Sequence, residues 1–106
     1  MIIRGTTPTL VFNIDTDLDL DEIAELWITF KTKMGTRLKE KTYSKSQVSM
    51  DNEHKTITLP LTQADTLFFT DTVMQVQIRL RLNNGLAYAS DIVDTNIGRI
   101  LKDGVI

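Results

Sequence analysis

Cysteine is absent from this chain, and histidine and tryptophan occur once each, at His54 and Trp27. Without cysteine there is no disulfide framework, which fits a reducing compartment. One histidine, no repeated metal-ligand spacing and no glycine-rich phosphate loop leave the polar residues without a recognisable reaction centre. No segment approaches the roughly 20 apolar residues of a membrane-spanning helix. The opening Met1-Ile2-Ile3-Arg4-Gly5 lacks the apolar stretch of a signal peptide. The expectation is a protein of the cytoplasm, without a membrane partner. A net charge of -2 gives no bulk attraction to nucleic acid. No cofactor, catalytic or metal residue is predicted.

What is present is the composition of a soluble globular protein, 42% hydrophobic and 25% charged. A chain of 106 residues can bury a core as one domain, residues 1–106. Its apolar residues recur with period two. The clearest run is Val73 to Leu82, where Met74, Val76, Ile78, Leu80 and Leu82 alternate with Val73, Gln75, Gln77, Arg79 and Arg81. A helical period of 3.6 would scatter that set around the axis, so a strand is predicted. Thr9 to Ile14 alternates likewise, with Pro8 at its entrance, where the missing N–H breaks no ladder. Ile23 to Lys31 reads as a strand with Leu26, Ile28 and Phe30 on one face and Trp27 and Thr29 on the other. A helix at 21–26 is the alternative, opposed by the β-branched and aromatic run that follows.

Further strands are predicted at Thr36 to Tyr43, after a hairpin at Gly35, at Val48 to Met50, and at Lys55 to Leu61, where Pro60 marks the end or a free edge. Thr62-Gln63-Ala64-Asp65 has the form of a capping box opening one helical turn, 62–67, between sheets. Phe68 and Phe69 are expected to plug the core beside it. Asn83-Asn84-Gly85 suits a tight hairpin, because Asn-Gly tolerates positive φ. Leu86 to Ser90 then returns antiparallel, and Ile92 to Ile100 forms the last strand, interrupted near Gly98. Seven or eight short strands predict an all-β fold, an immunoglobulin-like β-sandwich of two antiparallel sheets. A small barrel is the second architecture.

Charge is separated along the chain. Residues 1–30 set Arg4 against Asp15, Asp17, Asp19, Asp21, Glu22 and Glu25, a net -5. Residues 31–45 set Lys31, Lys33, Arg37, Lys39, Lys41 and Lys45 against Glu40, a net +5. An acidic corner and a basic edge can match on neighbouring subunits, which steers and registers an interface. Asp15, Asp17, Asp19, Asp21, Arg37, Lys39, Lys41, Arg79 and Arg81 are therefore the candidate interface residues. Arg37, Lys39 and Lys41 are expected to project together, with Arg79 and Arg81 as a second row. Asp15, Asp17 and Asp19 also fall at positions 1, 3 and 5 of a calcium-loop pattern. Leu20 and Leu26 then stand where the sharp-turn glycine and the bidentate glutamate belong, so an EF-hand is excluded. His54 beside Asp51 and Glu53 reads as a turn residue, since no nucleophile has an activating context. Trp27 either fills the core or, if exposed, anchors an interface.

Four stretches carry a family resemblance. They are Met1-Ile2-Ile3-Arg4-Gly5-Thr6-Thr7-Pro8-Thr9-Leu10, the corner Leu61 to Leu67, Gln75-Val76-Gln77-Ile78-Arg79, and Ala89-Ser90-Asp91-Ile92 with Gly98 through Ile106. Together they resemble small prophage-encoded tail- and baseplate-associated β proteins of gut Firmicutes. The resemblance implies a non-enzymatic structural or assembly role. Its partners would be other phage structural proteins or further copies of the chain, including a homo-oligomer. It places the protein in the host cytoplasm before assembly and in the virion afterwards. It supplies no catalytic or ligand residue. The alternative is a β-sandwich module that recognises a host protein or glycan through its loops.

Overall fold

The computed structural model describes residues 1–14, 17–33, 39–69 and 73–106. Within them the chain is all-β, with nine strands in two sheets. In chain order these are β1 (Ile2–Ile3), β2 (Thr9–Asn13), β3 (Ile23–Thr32), β4 (Glu40–Ser44), β5 (Ser49–Asp51), β6 (Thr56–Pro60), β7 (Val73–Leu82), β8 (Ala87–Ala89) and β9 (Val93–Gly98). The helix α1 (Gln63–Phe68) links β6 to β7.

The long alternating runs make the centre. β7 pairs antiparallel with β3 over nearly its whole length, Leu26 opposite Leu80, Ile28 opposite Ile78 and Phe30 opposite Val76. Each of these side chains is buried. β4 extends the sheet beyond β3. At the other edge of β7, β9 pairs with residues 73–76 and β8 with 79–81. β1 completes this six-stranded sheet. The second sheet is smaller, in the order β2-β6-β5, and antiparallel throughout.

Two expectations are corrected here. The large sheet is mixed instead of antiparallel, because β1 runs parallel to β9, with Ile2 opposite Ile97 and Ile3 opposite Gly98. The strand count is nine instead of seven or eight, because the two-residue β1 adds to the expected set, whereas β8 and β9 are separate as expected. Two residues cannot display a period, so β1 leaves no trace in the pattern. At the break between β8 and β9, the Ser90 N–H donates to the Ile78 carbonyl while Ser90 Oγ accepts from the Ile78 N–H. A side chain there replaces a rung of the backbone ladder.

Local chemistry agrees with the sequence at the corners. Thr62 Oγ1 accepts from the Asp65 N–H and the Asp65 carboxylate accepts from the Thr62 N–H, forming the capping box. Gly85 sits at φ +91° in the turn between β7 and β8, a conformation open to glycine. Gly98 is required for a different reason. A Cβ there would lie 3.0 Å from Met1 Sδ and 3.1 Å from Ile3 Cγ1, so glycine lets β1 lie against β9. The helix alternative at 21–26 reduces to one 3-10 turn, Leu20–Glu22, ahead of β3. The Gly35 hairpin lies outside the described residues, as do residues 36–38 of the strand expected from Thr36 to Tyr43, whose described part forms β4 from Glu40 to Ser44.

Phe30 is the hub of the core. It meets Tyr43 edge to face at 5.7 Å and stacks on Phe69 at 5.0 Å. Phe69 is fully buried as expected, whereas Phe68 stays 37% exposed and packs elsewhere. Replacing Phe30 by alanine is expected to lower the urea unfolding free energy by about 3–5 kcal/mol. Gln75→Ala, on the outer face of β7, should change it by less than about 0.5 kcal/mol. Equal effects would contradict the assignment of inner and outer faces.

Candidate docking surfaces

Strand parity decides where each candidate side chain goes. Arg79 and Arg81 lie on the outer face of β7, opposite Trp27 and Glu25 of β3. Lys41 lies opposite the buried Phe30, so it shares the inner face with Tyr43. The two basic rows therefore sit on opposite faces of the large sheet. Arg37 and Asp15 lie outside the described residues.

Lys39 and Lys41 are engaged within the fold. Lys41 Nζ pairs with Asp65 at 2.8 Å, and Lys39 Nζ donates to the Phe68 carbonyl at 3.1 Å. Both ammonium groups lie over the Phe68 ring, at 5.1 Å for Lys39 and 5.5 Å for Lys41. They clamp α1 onto the open edge of β4. Burial alone would raise the Asp65 carboxyl. The hydrogen bond from Lys41 and those from the Thr62 backbone and hydroxyl outweigh it and hold the group below the ordinary aspartate range. The neighbouring Tyr43 hydroxyl has no well-formed hydrogen bond. Burial, and then the Asp65 charge, push its ionisation far above the usual tyrosine range.

The acidic corner is likewise built into the structure. Asn52, in the turn between β5 and β6, accepts from the Leu20 N–H at 2.8 Å and donates to Asp19 at 2.7 Å and Asp21 at 3.4 Å. Lys55 Nζ donates to the Leu18 carbonyl and to Asn52 Oδ1. Asp19 also caps the 3-10 turn through the Asp21 N–H. Asp17, Asp19 and Asp21 remain exposed. The nearby cluster of metal-type donors is Asp51, Glu53 and His54, all exposed. Asp51 accepts from the Glu53 and His54 N–H groups and from the His54 ring at 2.7 Å. These bonds, led by that from the ring, hold its carboxyl below the usual range. The cluster closes a turn.

Among the described residues, two surfaces are left uncovered by the rest of the fold. The first is the outer face of the large sheet around Trp27, which is 48% exposed. The sequence allowed core or interface for this residue, and the structure takes it out of the core. The Arg79 guanidinium lies 5.8 Å from its ring. Ala89 and Ala87 stand opposite Arg79 and Arg81 on the far side of β7. Their small side chains leave a hollow of about 180 Å³ bounded by Glu25, Trp27, Arg79, Arg81 and Ala87. Tryptophan and arginine together are the side chains most enriched at binding hot spots. The second surface is an apolar cleft of about 770 Å³ between β2 and the β7-β8-β9 flank. Nothing in the residue pattern signals it, because its residues read as ordinary core positions.

No protein-family model matches the chain, and neither the curated proteins nor the solved structures provide a match.

The α1 clamp has a pH signature. A carboxyl held below its unfolded value stabilises the fold above that value, near 3.8, and the contribution is lost as pH falls through the folded value. Asp65→Asn is expected to lower the thermal midpoint at neutral pH and to flatten its fall below about pH 4. Midpoints from circular dichroism across pH 2–7 check this. An acid limb identical to that of the wild type would contradict it.

Proposed function

We propose that this protein is a non-enzymatic structural or assembly component of a phage or prophage particle, associated with its tail or baseplate and acting through protein–protein contacts. The observation that carries the reading is the exposed Trp27 beside Arg79 and Arg81 on the outer face of the central sheet. An exposed aromatic residue beside cations is a poor choice for solubility and a good one for docking. The resemblance of the opening, corner and closing stretches to tail- and baseplate-associated proteins supplies the setting. The exposed Asp17, Asp19 and Asp21 offer an opposite charge to the Arg79–Arg81 face, which suits registered contacts between copies or with neighbouring particle proteins. The scaffold is read as an immunoglobulin-like sandwich, supported by two sheets and by the alternating buried faces of β3 and β7.

A second reading has its own support. The hollow beside Trp27 combines an aromatic face with Glu25, Arg79 and Arg81, which suits a host protein or glycan. Because Trp27 is the single tryptophan, its fluorescence reports directly on whatever occupies that face.

The test uses particles purified from the strain that carries the gene. Mass spectrometry is expected to find the chain in them. Trp27→Ala should reduce its incorporation by roughly 30-fold, the equivalent of a hot-spot loss of about 2 kcal/mol. Particles that lack the wild-type chain would contradict the assembly reading. A fluorescence response of Trp27 to host-surface fragments, with no incorporation, would transfer support to the second.

A further inference from the structure

β2 is an edge strand whose free side can be identified. The Leu61 N–H donates to the Pro8 carbonyl at 2.9 Å and the Ile14 N–H to the Lys55 carbonyl at 2.8 Å. Antiparallel alternation then turns residues 8, 10, 12 and 14 toward β6. Thr9, Val11 and Asn13 direct their N–H and C=O groups to the opposite side, where no described strand pairs with them. Edges of this kind are normally blunted by lysine, proline or a bulge. Thr9-Leu10-Val11-Phe12-Asn13 carries none of these, whereas the β4 edge carries Glu40 and Lys41 and is crossed by α1.

The cleft lies against this free edge. Leu10, Phe12 and Ile14 form one wall, and Ile78, Leu80, Tyr88 and Val93 form the other. Tyr88 pairs with the buried Leu80 and Val93 with the buried Val76, so both point to the inner side of the large sheet. Yet Tyr88 is 44% exposed and Val93 59%. The small sheet stops one side short of covering them. Among the described residues, the one charged side chain lining the cleft is Asp91.

We propose that residues 99–106 of a second copy enter this cleft and add to β2 as a fourth strand of the small sheet. The unpaired ladder selects extended backbone over a compact apolar molecule, which would leave Thr9, Val11 and Asn13 unsatisfied. The β8–β9 flank stands across the cleft from β2, so an extended segment fits where a second folded sandwich does not. Residues 99–106 belong to no ladder. Leu101 and Ile106 are fully exposed and Val105 is 66% exposed. Extended, Leu101 and Val105 fall on one face and Ile100 and Ile106 on the other. One face would fill the cleft and the other would lie beside Val11, itself 57% exposed. Lys102 is exposed and carries the charge that complements Asp91. The segment is held in its own chain by the Arg4–Asp103 pair, in which Arg4 is 19% and Asp103 71% exposed, and by Gln63 bonded to the Ile106 backbone. These contacts can exchange for a ladder.

This inference deepens the reading of a protein that works through contacts, but it uses a different surface, so the two fail separately. Sedimentation velocity and light scattering of the full chain are expected to show association that rises with concentration. Val11→Pro should weaken it by at least about tenfold, because the Val11 N–H faces away from β6 and proline is tolerated there. Tyr88→Asp on the exposed cleft wall, and Leu101→Asp on the donated segment, should do the same. A labelled synthetic peptide of residues 99–106 should bind wild-type protein and fail to bind Val11→Pro. A wild-type chain that stays monomeric throughout the millimolar range would overturn the proposal. So would association that Trp27→Ala abolishes and that Val11→Pro, Tyr88→Asp and Leu101→Asp leave intact.

Discussion

The structure depends on the seam between β3 and β7. Two ten-residue strands in antiparallel register place Leu26, Ile28 and Phe30 beside Leu80, Ile78 and Val76. Burying such side chains stabilises by roughly 1.5–3 kcal/mol each, and the seam joins them into one continuous apolar floor. Everything else is arranged around that floor. The small sheet covers part of it through Ile57 and Leu59. Phe69 and Leu61 close the end at which α1 crosses. The Lys41–Asp65 pair and the Thr62 capping box hold α1 in place, but they act on a core already formed by the seam.

The same constraint produces the open flank. A period of two gives β7 an inner face along its full length, and the turn at Asn83-Asn84-Gly85 sends β8 and β9 back beside it. The large sheet thereby becomes wider than the three-stranded sheet that faces it. Tyr88 and Val93 obey the inner-face parity of their partners but find no cover. Free backbone groups on β2 and uncovered side chains on β8 and β9 border one space, and both follow from the mismatch in strand number.

Much of this was legible in the residues. Val73 to Leu82 forms a strand with the bounds its alternation implied, and the capping box and the Asn-Gly turn appear where their chemistry placed them. What escaped reading has physical causes. β1 is too short to show a period. Lys39 and Lys41 suggested an exposed basic edge, yet they share the parity of Tyr43 and are drawn to Asp65 and Phe68, more than 20 positions away. Of the described candidate interface residues, Asp17, Asp19, Asp21, Arg79 and Arg81 are exposed, whereas Lys39 and Lys41 are engaged with α1. Trp27 was undecided because strand alternation fixes which side a residue takes and not what lies on that side.

Amide hydrogen exchange tests the central claim most directly, since the slowest amides report the last structure to open. The account predicts that the amides of β3 and β7 from Leu26 to Phe30 and from Met74 to Leu80 exchange only through global unfolding. It also predicts that those of Thr9, Val11 and Asn13 exchange freely in dilute monomer. Fast exchange along β7, or protected odd-numbered amides in β2 of the dilute monomer, would contradict a fold centred on this seam with one flank open.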